Sequence, residues 1–130
     1  MNLLIYTVIG LAVTWALYST YMYIATRASE GRPAEPLYAL FPTLAKTHGK
    51  ALVYCFSPGC GPCRPMSKEV DIVAATGAAV FKLDISKHRA LSRELGIRAV
   101  PTLIVIEERV VSRMVLGVKN ASYMKQLIES

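Results

Sequence analysis

The first 26 of the 130 residues carry no charged side chain, and that run limits what the chain can fold into. A helix crossing the hydrocarbon layer of a bilayer needs about 20 apolar residues at about 1.5 Å rise each. Leu3 to Ile24 has that length. Tyr6 stands near one end, and Tyr18, Tyr21 and Tyr23 near the other, where amphipathic rings collect at the headgroup level. Thr7, Thr14, Ser19 and Thr20 make the stretch less apolar than an ideal span. A cleaved signal peptide is the alternative, but no Lys or Arg precedes the apolar run, and Thr26-Arg27-Ala28 is a poor cleavage pattern. We therefore expect residues 1–26 to form one N-terminal transmembrane helix, in contact with lipid through residues 3–24.

Residues 27–36 (RASEGRPAEP) are polar and contain Gly31, Pro33 and Pro36, which reads as a linker lifting a domain off the membrane. Residues 37–130 are then the folded domain, and the net charge of +6 falls on the part beyond the anchor. That balance suits a solvated basic surface, acidic partners or an anionic membrane surface. No nucleic-acid partner is expected.

Leu37, Leu40, Phe41, Leu44 and Ala45 follow helical spacing towards Gly49, with Pro42 predicting a kink or a later start. Ala51 to Phe56 is a nearly continuous apolar run, the pattern of a strand covered on both faces. Met66, Val70, Val73 and Ala74 predict a helix from about Cys63 to Gly77. A second strand is expected over Ala79 to Ile85, and a short helix capped by Ser86 through Leu95. Strands over Thr102 to Ile106 and Val110 to Leu116 predict an antiparallel hairpin, followed by a helix capped by Asn120. Strands alternating with helices, then a hairpin and a helix, give an α/β domain with a mixed central sheet flanked by helices.

The chemistry concentrates in Cys60-Gly61-Pro62-Cys63, at a strand-to-helix junction. Cys55, inside the apolar run, reads as a small buried hydrophobe. A thiol attacks only as its thiolate, and Cys60 at a helix N-terminus would meet unpaired amide hydrogens that favour the anion. Pro62 suits the first turn, where its missing donor costs nothing. Cys63, a turn further in, would be shielded and placed to attack a mixed disulfide on Cys60. This assigns Cys60 as nucleophile and Cys63 as resolving thiol. A structural zinc site would need four ligands; there is no second cysteine pair, and His48 and His88 are isolated, so no metal is expected.

Cys60-Gly61-Pro62-Cys63, with the apolar strand before it, Arg64 after it and Gly96-Ile97-Arg98-Ala99-Val100-Pro101-Thr102-Leu103 downstream, resembles the thioredoxin family. Gly117 before the last helix fits as well, and the resemblance covers about Leu37 to Ser130. It implies a thioredoxin fold with a cis Pro101 beside the redox pair, and Val100 offering backbone hydrogen bonds to an extended substrate segment. Gly61, Pro62, Val100 and Pro101 are the implied substrate-binding residues. The redox-active Cys60–Cys63 disulfide then serves with no further cofactor. Three departures stand out. Tyr54 holds the position, six before Cys60, where the family commonly buries a carboxylate that moves the proton of the resolving thiol, leaving water, Lys82 or another route. Phe56 and Gly59 replace a usual tryptophan pair. The first edge strand is not evident.

The expected function is a membrane-tethered thiol-disulfide oxidoreductase acting on disulfide-containing protein substrates, as a reductase given the Gly-Pro spacer, and recharged by an upstream electron donor. The alternative from another class is a binding module or metallochaperone that assembles a partner protein. Arg27 and Arg32 after the span favour a cytoplasmic domain. The resemblance to anchored bacterial thioredoxin-like proteins favours the periplasm, and we adopt the periplasmic reading with the cytoplasm as alternative.

Overall fold

The computed structural model describes residues 1–129, and its organising strand is β1, Ala51–Phe56. Alternate side chains of β1 point to opposite faces. Ala51, Val53 and Cys55 enter one apolar cluster, and Leu52 and Tyr54 enter the other. Burial on both faces is why the run is apolar throughout rather than alternating. On the first face lie Leu37 of α2 (Glu35–Leu40), Leu44 of a 3₁₀ turn (Pro42–Lys46) and Leu95 of α4 (Arg89–Leu95). On the second lie Met66, Val70 and Val73 of α3 (Cys63–Ala75), and Ala121, Met124 and Leu127 of α5 (Ala121–Glu129).

The four-stranded sheet runs β2-β1-β3-β4, with β2 Val80–Asp84, β3 Thr102–Glu107 and β4 Val110–Leu116. β1 and β2 are parallel, whereas β3 is antiparallel to both β1 and β4. This is the mixed sheet flanked by helices that the element order predicts. The β3–β4 turn places Glu108 and Arg109 at φ 53° and 66°, in the left-handed region that a two-residue hairpin favours. Arg109 is tied down from outside the hairpin: its Nε and Nη2 donate to the Glu35 carboxylate at 2.8 Å each. Its guanidinium also lies 4.2 Å from the Tyr38 ring centroid.

Three local expectations change. Pro42 does more than kink a helix: Phe41 before it leaves the helical region (φ −117°, ψ 85°), so α2 ends there and a separate 3₁₀ turn follows. Ser86 caps no helix. Its amide and hydroxyl both donate to Asp84 Oδ1, closing a turn, and His88 holds the N-cap position of α4.

Residues 27–36, expected as a short linker lifting the domain off the membrane, pack onto the sheet. Gly31 N donates to Val111 O at 2.6 Å, Val111 N to Arg32 O at 2.9 Å and Ala34 N to Arg109 O at 2.9 Å. Ala34 and Ser29 are buried. The segment completes the outer edge of β4, and Pro33 and its neighbours limit it to a single bridge rather than a strand.

α1, Asn2–Arg27, is exposed from Asn2 to Tyr18. Ser19, Met22 and Thr26, continued by Ser29, then form one shielded face at helical spacing, which lies towards β4. The contact between this segment and α4 is close at Gly96, whose φ of +77° ends the helix. A Cβ on Gly96 would run into Ser29 Oγ, which donates to Gly96 O at 3.3 Å. Arg32 Nη1 donates to Glu94 O at 2.9 Å beside it. Gly96→Ala is expected to destabilise the fold by about 1–2 kcal/mol from the left-handed conformation alone. The thermal midpoint of the full chain in detergent should therefore fall by about 4–8 °C per kcal/mol; an unchanged midpoint would contradict the left-handed conformation of Gly96.

Candidate active site

β1 ends at Phe56 and the chain turns through Ser57-Pro58-Gly59 to deliver Cys60 to the start of α3. Cys60 and Cys63 are joined as a disulfide, with Cα atoms 5.3 Å apart. The two sulfurs are unequal. Cys63 is 3 % exposed, on the inner face of α3, whereas Cys60 is only partly covered. Gly61, Pro62 and Arg64 around them are exposed. Pro62 occupies the N-cap position of α3 rather than its first turn. The amide of Cys63 has no carbonyl partner within the helix, and it donates to Cys60 Sγ at 3.2 Å. A negative charge on Cys60 would be met by this donor and by the positive end of the thirteen-residue α3.

The Val100–Pro101 bond is cis, and Pro101 is buried. Thr102 Oγ1 donates to Ala99 O at 2.7 Å, and Gly117 N donates to Pro101 O at 2.9 Å, so this loop is fixed from both sides. Val100 and Cys60 border the same apolar cluster, the one containing Cys63, Tyr54 and Met66. The structure thus brings the two sequence-distant motifs to one end of the sheet, on its α3 face.

Tyr54 is fully buried behind the pair. Its hydroxyl donates to Cys63 O at 2.9 Å and lies 3.0 Å from Ser67 Oγ, which itself donates to Cys63 O at 2.8 Å. Its ring stacks on Phe56 with centroids 5.5 Å apart. Where a carboxylate would take a proton, this chain therefore holds a phenol that fastens the first turn of α3 by its carbonyl. Burial pushes the Tyr54 hydroxyl above its ordinary value, with the Ser67 hydrogen bond opposing, so it stays neutral. Lys82, the alternative proton route, sits on the neighbouring strand opposite Tyr54 and is paired to Asp71 on the surface. Cys55 is wholly buried, and burial alone pushes its thiol far up, so it remains a neutral apolar group.

Ser67 is the site residue that sequence reasoning missed. Its signal was its place four residues after Cys63, where a helical serine can bond back to the carbonyl one turn earlier. Glu69 was missed as well, because its partner lies on another helix. Its carboxylate accepts from the Ala121 amide at 2.8 Å and so joins α3 to the start of α5. Asn120 caps that helix as expected, its side chain accepting from Tyr123 N at 2.9 Å.

A family model described as Thioredoxin matches residues 39–130. Thioredoxin from Bacillus subtilis (strain 168) is 25% identical over 85 residues, which span 63% of this chain and 82% of that protein. Among solved structures, a mutant thioredoxin from Halobacterium salinarum NRC-1 superposes with a TM-score of 0.63 at 31% identity, covering 69% of this chain and 80% of its own. The short form of spinach chloroplast thioredoxin F gives 0.60 at 30% identity, covering 68% and 82%.

Tyr54→Phe removes one hydroxyl from a buried network and should lower stability by about 1 kcal/mol. The raised Tyr54 ionisation also has a sign in pH. The neutral phenol contributes stability fully below its ordinary value of 10.0, and that stability is lost as pH rises past it. The alkaline fall in stability should therefore be shallower in Tyr54→Phe than in wild type, as read by denaturant midpoints at increasing pH. Tyr54→Asp should instead speed the resolving step near neutral pH, on the order of 10²-fold where proton removal limits it. Stopped-flow release from a preformed mixed disulfide would check this, and an unchanged or slower rate would mean that the proton leaves by another path.

Proposed function

The chain belongs to the thioredoxin family as a thiol-disulfide oxidoreductase, and on that premise we propose that it works as a membrane-tethered reductase of protein disulfides. The observation that carries the chemistry is the Cys63 amide aimed at Cys60 Sγ at 3.2 Å, with Cys63 itself shielded. In the reduced protein the Cys60 thiolate attacks one sulfur of a substrate disulfide. The substrate S–S bond breaks as the Cys60–substrate bond forms, and the departing thiolate takes a proton. Cys63 then loses its proton and attacks Cys60 Sγ, forming the Cys60–Cys63 disulfide and releasing the second substrate thiolate. Two electrons pass to the substrate, and an upstream donor must return two electrons and two protons. The cysteine pair performs this without an added cofactor.

Gly61, Pro62, Val100 and Pro101 are proposed to receive the substrate: the first two are exposed beside Cys60, and Val100 borders the same cluster. The Gly-Pro spacer supports the reducing direction by its likeness to reducing members of the family.

Tethering is supported by α1, a 26-residue helix long and apolar enough to cross a membrane. Two of the threonines within the span, Thr7 and Thr14, are satisfied from within the helix. Thr7 Oγ1 donates to Leu4 O and Thr14 Oγ1 to Gly10 O, both at 2.8 Å, which lowers the cost of placing them in lipid. We propose the periplasmic side for the domain, where a membrane protein would be the donor. A C-terminal reporter active only in the cytoplasm would reverse that assignment.

Full chain in detergent is expected to reduce insulin disulfides with dithiothreitol as donor. Cys60→Ser should abolish turnover, and Cys63→Ser should accumulate a covalent mixed disulfide through Cys60. Absence of wild-type turnover, or undiminished turnover in Cys60→Ser, would refute the reductase. Tethering is tested separately: full chain should stay with the membrane pellet through a carbonate wash.

A further inference from the structure

Where α1 meets the sheet it leaves a half-open groove of about 630 Å³ whose walls include Tyr18, Tyr23, Arg27, Glu30, Arg113 and Lys119. We propose that this groove binds the headgroup of an anionic phospholipid, an inference that rests on α1 crossing a bilayer.

The argument begins with height. The hydrocarbon layer takes up about 20 residues of helix, so a span that begins at Leu3 leaves it near Met22. The residues that α1 contributes to the groove run from Tyr18 to Arg27, across the level where acyl chains give way to phosphates. A groove at that level is filled by lipid in a membrane, and its volume is that of a small-molecule site.

Charge selects the kind of lipid. Arg27, Arg113 and Lys119 face one carboxylate, Glu30, which is already engaged as acceptor from Met114 N at 3.4 Å. Among the described residues the ion pairs are Lys82–Asp71 and Arg109–Glu35, and neither uses these three cations. Two of them are held over rings that line the same groove. The Arg27 guanidinium lies 5.4 Å from the Tyr23 centroid and the Lys119 ammonium 5.2 Å from that of Tyr123. Cations anchored by rings rather than by carboxylates keep their charge available to an incoming phosphate. A zwitterionic headgroup would bring its own cation towards three others, so the groove favours a headgroup with net negative charge.

The chain carries a built-in probe. Trp15, its only tryptophan, sits about one turn before Tyr18. Full chain is reconstituted in vesicles of phosphatidylcholine mixed with phosphatidylglycerol, with bromine on the acyl chains of one lipid at a time, and Trp15 quenching gives the relative occupancy of the two. Wild type is expected to prefer phosphatidylglycerol. Arg113→Gln and Lys119→Gln should each reduce that preference by about fivefold, while Lys46→Gln, the same charge change outside the groove, leaves it in place. Equal quenching by both lipids, or an equal loss in Lys46→Gln, overturns the site. Loss of the preference on adding soluble glycerol phosphate also overturns the lipid assignment, because it identifies a site for free phosphates. Flotation of the vesicles on a density gradient is read first: chain that does not float with them refutes the span itself, independently of any lipid preference.

Discussion

Burial of β1 on both faces is the constraint from which the rest of this structure follows. Because Ala51, Val53 and Cys55 enter one core and Leu52 and Tyr54 the other, the strand needs helices above and below it and neighbours on both sides. It also ends in a fixed direction, so the turn after Phe56 sets Cys60 and Cys63 at the rim of the second core. The reactivity of the pair is thus a by-product of where a dry strand stops and a helix with free amides begins.

The same burial explains Tyr54. An inward position on a central strand can hold an ionisable acid only against the cost of desolvating its charge. A phenol meets that cost by remaining neutral and hydrogen-bonding through its tip to Cys63 O and Ser67 Oγ. What the site gains is a first helical turn held at its carbonyl. What it gives up is a base behind Cys63.

Much of this was legible in the amino-acid sequence because it is written in side chains. The apolar run at β1, the helical spacing of Met66, Val70 and Val73, and the paired motifs around Cys60 and Pro101 each have a periodicity or a composition that one segment carries by itself. The features that were not legible are made by backbone groups meeting across the fold. Gly31, Arg32 and Ala34 join β4 through main-chain hydrogen bonds that leave no mark on their own side chains, so a polar, proline-containing stretch reads as a linker. Ser86 was drawn to Asp84 two residues away, a competition between turn and cap that spacing alone does not decide. Ser67 needed two facts together, its place one turn after Cys63 and the inward direction of Tyr54. The docking face of α1 is hidden for another reason: Ser19, Thr26 and Ser29 are small polar residues that a spanning helix also tolerates.

If α1 spans a bilayer, as proposed, that docking face changes what a tether means. A domain on a flexible leash explores a volume set by linker length, and its effective concentration towards any neighbour falls as the leash grows. In this chain the helix leads into the sheet with Ser29, Gly31 and Ala34 already engaged, leaving no free segment between α1 and the domain. With α1 in a bilayer, the disulfide sits at one height and one tilt, free to diffuse sideways and to turn about the membrane normal. Such a protein trades reach for encounter geometry. A soluble disulfide must approach it in the correct orientation, whereas a partner anchored in the same leaflet, with its own disulfide at matching height, meets it by a search in two dimensions.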